Sequence, residues 1–205
     1  MPKIVDKKEK ARAISAAALK VFRELGYPGT RMADIAQRAG IGKGTLYEYF
    51  KDKADILRFA FDEYFTIFAN GIIEAIKDKA SPSDKLLSLI DFSLHRASEW
   101  EDHCAVYVDY YGAARTDGKG RFSLSAMYGH MRHILLDLIR DGQAAGEIDT
   151  SFQPAALAEV LLSVFDGIIL HRIFEGRETD PGPLEVATIK LVKKGLRPSL
   201  QDGNV

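Results

Sequence analysis

Within the stretch DIAQRAGIGKGTLYEYF, from Asp34 to Phe50, four side chains stand out for their chemistry: Lys43, Thr45, Tyr47 and Tyr49. An ammonium, a methyl-bearing hydroxyl and two phenols on about two turns of helix make poor core material. They suit contact with duplex DNA, whose major groove presents hydrogen-bonding base edges and thymine methyls between rows of phosphates. Lys43 could donate to a guanine edge or a phosphate, the Thr45 methyl could meet a thymine methyl, and the tyrosine hydroxyls could donate to phosphates. Gly44 completes the exposed surface of this short helix. Thr30, with the amides of Arg31 and Met32 at the preceding helix start, and Lys53 at the following one extend the set that could face phosphates.

Other chemistries find less support. A di-metal carboxylate bundle requires Glu-x-x-His pairs, and no histidine has a glutamate three residues before it. Cys104 directly follows His103, so on a helix their side chains diverge by about 100°. No glycine-rich phosphate loop occurs. The chain therefore reads as a binding protein and not an enzyme, without a cofactor or a metal.

Positioning a short recognition helix requires a particular set of neighbours, and the sequence supplies them in order. Ala36 is small enough for two helices to cross closely, and Gly40 tolerates the positive φ of a tight turn. Ile35, Ala39, Ile41, Leu46 and Phe50 give the pair an apolar side. Ahead of them, Ile14, Ala18, Val21, Phe22 and Leu25 draw one stripe on a helix from about Lys7 to Leu25. GYPGT ends it, with Thr30 placed to cap the next helix. Gly42 caps the recognition helix.

Helical periodicity continues to the end of the chain. Asp52 can cap a long helix running to about Lys79, and further helices are expected near Ser83–Ala97, His103–Ala113, Phe122–Ala145, Pro154–Phe174 and Leu184–Leu196. RTDGKGR and EGRETDPGP read as loops. The fold class is all-α, with about nine helices. Residues 1–53 are expected to form a helix–turn–helix domain, 54–198 a ligand-binding and dimerisation domain, and 199–205 a disordered tail.

Charge divides the chain the same way. Residues 1–53 hold 12 Lys+Arg and 6 Asp+Glu, a net of +6, whereas the rest holds 16 against 23, a net of −7. A basic head on an acidic body suggests that only the head meets a polyanion. One cysteine excludes an internal disulfide and fits a reducing cytoplasm. The charged start MPKIVDKKEK lacks the apolar segment of a secretory leader. The most apolar run, VLLSVFDGIIL, is broken by Asp166 and falls short of the ~20 residues of a membrane span.

The segment TRMADIAQRAGIGKGTLYEYFKDKADIL, Thr30 to Leu57, closely resembles the DNA-binding signature of the TetR (tetracycline repressor) family of bacterial transcription regulators. Helix number and order agree along the whole chain, although Gly42 stands where the family usually has serine. The resemblance implies an all-helical homodimer whose first three helices bind an operator. It also implies a C-terminal body that encloses an effector pocket and dimerises through its last two helices.

The body offers candidates for both roles. Phe65, Phe68, Phe92, Trp100, Tyr107, Tyr111 and Phe165 supply aromatic surface, and Met127 and Met131 supply adaptable apolar surface. Ile169 lies on the same stretch as Phe165. His95 and His130 are polar groups that could meet a ligand, and Arg96, Arg132 or Arg172 could meet an acidic head group. Plain core packing is the alternative for most of these positions. The apolar residues of the last long helix cover more than one face, which suggests a second subunit there. Leu157, Leu161, Val164 and Ile168, with Leu191 on the final helix, are the candidates. A two-fold dimer would read a near-palindromic site.

The function expected is therefore a ligand-responsive regulator, a repressor released from double-stranded DNA by an apolar, aromatic or amphipathic small molecule, with RTDGKGR as a possible gate. The alternative is a DNA-binding regulator controlled by a protein partner or acting without an effector.

Overall fold

The computed structural model describes residues 7–116, 124–175 and 182–198. Among these the chain forms nine α-helices and no strand: α1 (Lys7–Leu25), α2 (Met32–Arg38), α3 (Lys43–Tyr49), α4 (Lys53–Ile76), α5 (Pro82–His95), α6 (Ala97–Thr116), α7 (Ser125–Ala144), α8 (Pro154–Glu175) and α9 (Gly182–Gly195). No helix among the described residues is long and apolar enough to cross a membrane. The expected start of α7 at Phe122, most of RTDGKGR, the interior of EGRETDPGP and the tail at 199–205 lie outside the described residues.

The chain divides into two compact units, residues 1–68 with 102–122, and 69–101 with 123–205. The first part of α4 and most of α6 thus belong with α1–α3. In this first unit α1 packs on α2, and α2 on α3. Ile14, Ala18, Val21 and Phe22 of α1 are buried, as are Ile35, Ala36, Leu46, Phe50, Ile56, Leu57 and Phe61. Leu25, expected to end the α1 stripe, is largely exposed. Glu63 of α4 joins Lys8 and Arg12 of α1. The bond from the Arg12 guanidinium, chiefly, holds its carboxyl below the usual carboxylate range.

Local chemistry sets the helix ends. Asp52 caps α4 by accepting the Asp55 N–H at 2.8 Å, and Ser81 caps α5 by accepting the Asp84 N–H at 3.1 Å. Gly40 (φ 65°) closes α2: its N–H reaches the Gln37 carbonyl and the Ile41 N–H reaches that of Ala36, a Schellman pair. Gly146 (φ 71°) closes α7 in the same way.

Within the second unit α7 packs against α5 and α8, and α5 against α9. Two glycines let backbone approach side chain. A Cβ on Gly71 would stand 2.3 Å from the Phe92 ring, and one on Gly142 would stand 2.5 Å from Ile148. After α7, the Glu147 carboxylate accepts the Ser83 N–H at 2.9 Å and so satisfies the start of α5. The Asp149 N–H donates to the Leu196 carbonyl at the end of α9.

α6 begins six residues before the expected His103. The chain turns at Arg96 (φ −96°, ψ 6°) without glycine or proline and re-enters helix at once. Glu101 on its first turns is buried and joined to Arg172 of α8 at 3.0 Å.

Candidate nucleic-acid interface

α3 is held by one side only. Leu46 is fully buried and Phe50, just past its end, packs edge-on against Phe59. On the other side Lys43, Gly44, Tyr47 and Glu48 are exposed, with Tyr47 at 49%, and Thr45 and Tyr49 are half-buried. Gly42 is its N-cap in extended conformation and contributes no side-chain bond. Lys43, Gly44, Thr45, Tyr47 and Tyr49, expected from the sequence to contact DNA, thus lie on one short helix, with Lys43, Gly44 and Tyr47 exposed.

Three flanking expectations need correction. Thr30 does not cap α2 and does not face a phosphate: it is only 2% exposed, and its hydroxyl donates to the Gly26 carbonyl at 2.8 Å. The N-cap of α2 is Arg31. Arginine has no acceptor with which to cap, and the Asp34 carboxylate instead reaches back to accept the Arg31 N–H at 2.8 Å. That amide is therefore committed, while the Arg31 side chain is exposed.

Lys53 is the third correction. Its ammonium donates to the carbonyls of Tyr27 (2.6 Å), Thr30 (3.0 Å) and Pro28 (3.2 Å), using three donors on three acceptors. It also lies 4.4 Å from the centre of the Tyr27 ring. In the unbound chain this ammonium is thus already engaged by the loop carbonyls.

The body candidates separate by unit. In the first unit Phe65, Phe68 and Tyr107 join an aromatic cluster on α4 and α6 that the sequence reading only partly recovered. Tyr64 stacks on Phe68 (5.9 Å) and lies 4.4 Å from His103. Phe61 meets Tyr107 at 5.6 Å. Tyr111 touches Tyr107 but is otherwise largely exposed.

In the second unit Trp100 and Ile169 are buried, and Phe92, Met127, Met131 and Phe165 are partly so. His95 and His130, expected as possible ligand contacts, are exposed in this chain. The His95 ring bonds the Asp91 carbonyl at 2.8 Å, which raises its pKa. Arg96, Arg132 and Arg172 each carry an ion pair, with Glu99, Glu159 and Glu101. Asp166, which interrupts the most apolar helix, has found the partner that burial requires. It accepts the Tyr128 hydroxyl at 2.9 Å, while desolvation pushes its pKa up.

The expected dimer residues divide too. Leu157 is buried within its own chain and so is not available to a partner; Leu161 and Ile168 are half-buried and Val164 and Leu191 exposed. The exposed apolar positions on these helices include Val160, Leu170 and Phe174 on α8 and Leu184 and Val186 on α9. Periodicity showed a surplus of apolar residues on α8 but could not say which side its own chain would cover.

Comparison with known proteins agrees with this arrangement. Residues 14–59 match the family described as bacterial regulatory proteins, tetR family, and residues 82–194 match the C-terminal domain of the BetI-type transcriptional repressors. The chain is 27% identical to the fatty acid metabolism regulator protein of Bacillus subtilis (strain 168), over 93% of this chain and 97% of that protein. The fatty acid degradation regulator FadR of Bacillus halodurans shares the fold, with a TM-score of 0.78 at 21% identity, covering 92% of this chain and 97% of that one. FadR of Bacillus subtilis in complex with stearoyl-CoA superposes with a TM-score of 0.71 at 25% identity, covering 90% and 98%. These relatives regulate transcription and are not enzymes. With a helix–turn–helix head and an all-helical body that each match the same kind of regulator, the chain belongs to the TetR family of bacterial DNA-binding transcription regulators.

Proposed function

We propose that this regulator is a repressor. It binds a near-palindromic operator as a homodimer and is released by a long-chain acyl thioester of the acyl-CoA type. The observation that carries the DNA half is α3, seated by Leu46 and Phe50 with Lys43 and Tyr47 left outward and Thr45 half-buried beside them. A helix of this length reads bases with its N-terminal residues while phosphate contacts fix its register. Two such heads on a two-fold dimer require two inverted half-sites, and the exposed apolar residues of α8 and α9 are the surface such a dimer would cover.

The effector class rests on the likeness to the Bacillus subtilis regulator bound to stearoyl-CoA. The aromatic and methionine content of the chain is compatible with an acyl tail. A ligand that prefers the conformation unable to hold DNA lowers operator affinity in proportion to its preference.

A thermal melt tests the effector class. Stearoyl-CoA at about 100 times its Kd is expected to stabilise the protein by about 2.7 kcal/mol, which at roughly 2–4 °C per kcal/mol for a chain of this size raises Tm by roughly 5–11 °C. Free coenzyme A, which lacks the tail, is expected to give less. Equal shifts with both compounds would remove the acyl chain from the account. No shift with either would turn it toward control by a protein partner.

A further inference from the structure

The loop between α1 and α2, residues 26–31, is gripped from two sides by residues that no recognition role accounts for. From α4, the Lys53 ammonium collects the carbonyls of Tyr27, Pro28 and Thr30. From α6, the Asp109 carboxylate accepts the Tyr27 N–H at 2.5 Å, and the same oxygen would lie 3.3 Å from a Cβ on Gly26. The Tyr27 ring lies under the ammonium at 4.4 Å and edge-on to Tyr110 of α6 at 5.0 Å. All of these groups belong to the first unit.

Loop 26–31 ends at the N-cap of α2, and α2 is the helix against which α3 packs. Three carbonyls converging on one cation and an amide aimed at a carboxylate leave this loop little freedom, because releasing either would strand part-buried polar groups. We propose that Lys53 and Asp109 are positioning residues for operator recognition: together they hold loop 26–31, and through it the start of α2, so that α3 presents Lys43, Thr45 and Tyr47 in one register. The proposal rests on the reading of the first unit as the DNA-binding head. It makes Asp109 the point at which α6 acts on that head.

The test uses the full-length protein and a duplex that the wild type selects from a randomised pool, with a random-sequence duplex as reference. Affinities of Lys53→Met, Asp109→Ala and Asp109→Asn are measured across a salt series, with active concentration fixed by stoichiometric titration. Lys53→Met and Asp109→Ala are expected to lose about 30-fold on the selected duplex, the scale of one or two mispaired base contacts. They should change little on the random duplex and keep the wild-type salt slope. Asp109→Asn keeps an oxygen acceptor for the Tyr27 N–H and should recover most of the loss.

A parallel loss on both duplexes, with the Lys53→Met slope shallower by about 0.9, would make Lys53 a phosphate contact and overturn the proposal. An unchanged ratio of specific to random affinity in all three variants would overturn it as well. Should Lys53→Met fail to fold, the Asp109 pair decides alone. A wild type that selects no sequence defeats the reading of the head itself, an outcome distinct from a wild type that selects and variants that discriminate equally well.

Discussion

The double variant Lys43→Ala/Tyr47→Ala is expected to lose about 100-fold in affinity for a selected operator while melting with the wild type. The two side chains reach outward from the start and middle of α3 and take no part in the core. A lysine reading a base edge contributes about 1–3 kcal/mol to discrimination, a hydroxyl bonded to a charged phosphate about 1.5–3 kcal/mol, and about 1.4 kcal/mol corresponds to tenfold. Two such losses give the stated factor. Stability is expected to change by no more than about 0.5 kcal/mol, as for other exposed positions. By contrast, Leu46→Ala one turn along removes a fully buried side chain. That change is expected to cost about 2–5 kcal/mol of folding free energy. Titration against selected and random duplexes, beside a melt, separates recognition from stability. A double variant that binds the selected duplex as the wild type does would move recognition off α3.

A comparable effect is expected at the opposite end of the chain. Leu191 of α9 is 73% exposed and Phe174 of α8 is 78% exposed, so neither stabilises its own protomer much. Across a two-fold axis each position meets the partner's version of the same surface. Leu191→Glu would place two carboxylates in that apolar contact, where unpaired burial of charge costs several kcal/mol. The variant is expected to sediment as a monomer at micromolar concentration and to melt near the temperature of wild-type monomer. Its operator affinity should fall by about 100-fold or more, because each head then binds its half-site without the other's effective concentration. Wild-type sedimentation as a monomer, or a Leu191→Glu dimer with full operator affinity, would remove α8 and α9 from this role.

These two surfaces were legible to different degrees. α3 could be read because its apolar and polar residues alternate with a period that admits one seating, and because Gly40 and Ala36 mark the turn and the crossing. The partners of its flanks could not. Thr30, Arg31 and Lys53 all have the chemistry of phosphate ligands, and only the fold reveals that a hydroxyl, an amide and an ammonium are already engaged. Asp109 lies 82 residues from the amide it holds, and nothing local marks the pairing. The start of α6 was missed because Arg96 turns the chain without a breaker residue. On α8, sequence gave the surplus of apolar residues but assigned Leu157 to the wrong side. A helix apolar around most of its circumference has no periodic signal to tell own core from partner.

The histidines show the same limit. His95 and His130 were plausible ligands for an enclosed molecule by type, yet both are exposed. His103 lies within the aromatic cluster beside Tyr64 and Phe61. Burial decides between such readings, and burial is a property of the packed chain.

The measurement closest to the central claim is a fluorescence-anisotropy titration of the wild-type protein on a duplex it has selected from a random pool. It is repeated on a random duplex at the same salt and in the presence of stearoyl-CoA. The account predicts binding to the selected duplex at least about 10³ tighter than to the random one, two protomers per near-palindromic site, and loss of that binding as the acyl thioester is added. Equal affinity for both duplexes at physiological salt would contradict the account of α3 as a sequence reader. Tight, selective binding untouched by any acyl thioester would contradict its account of release.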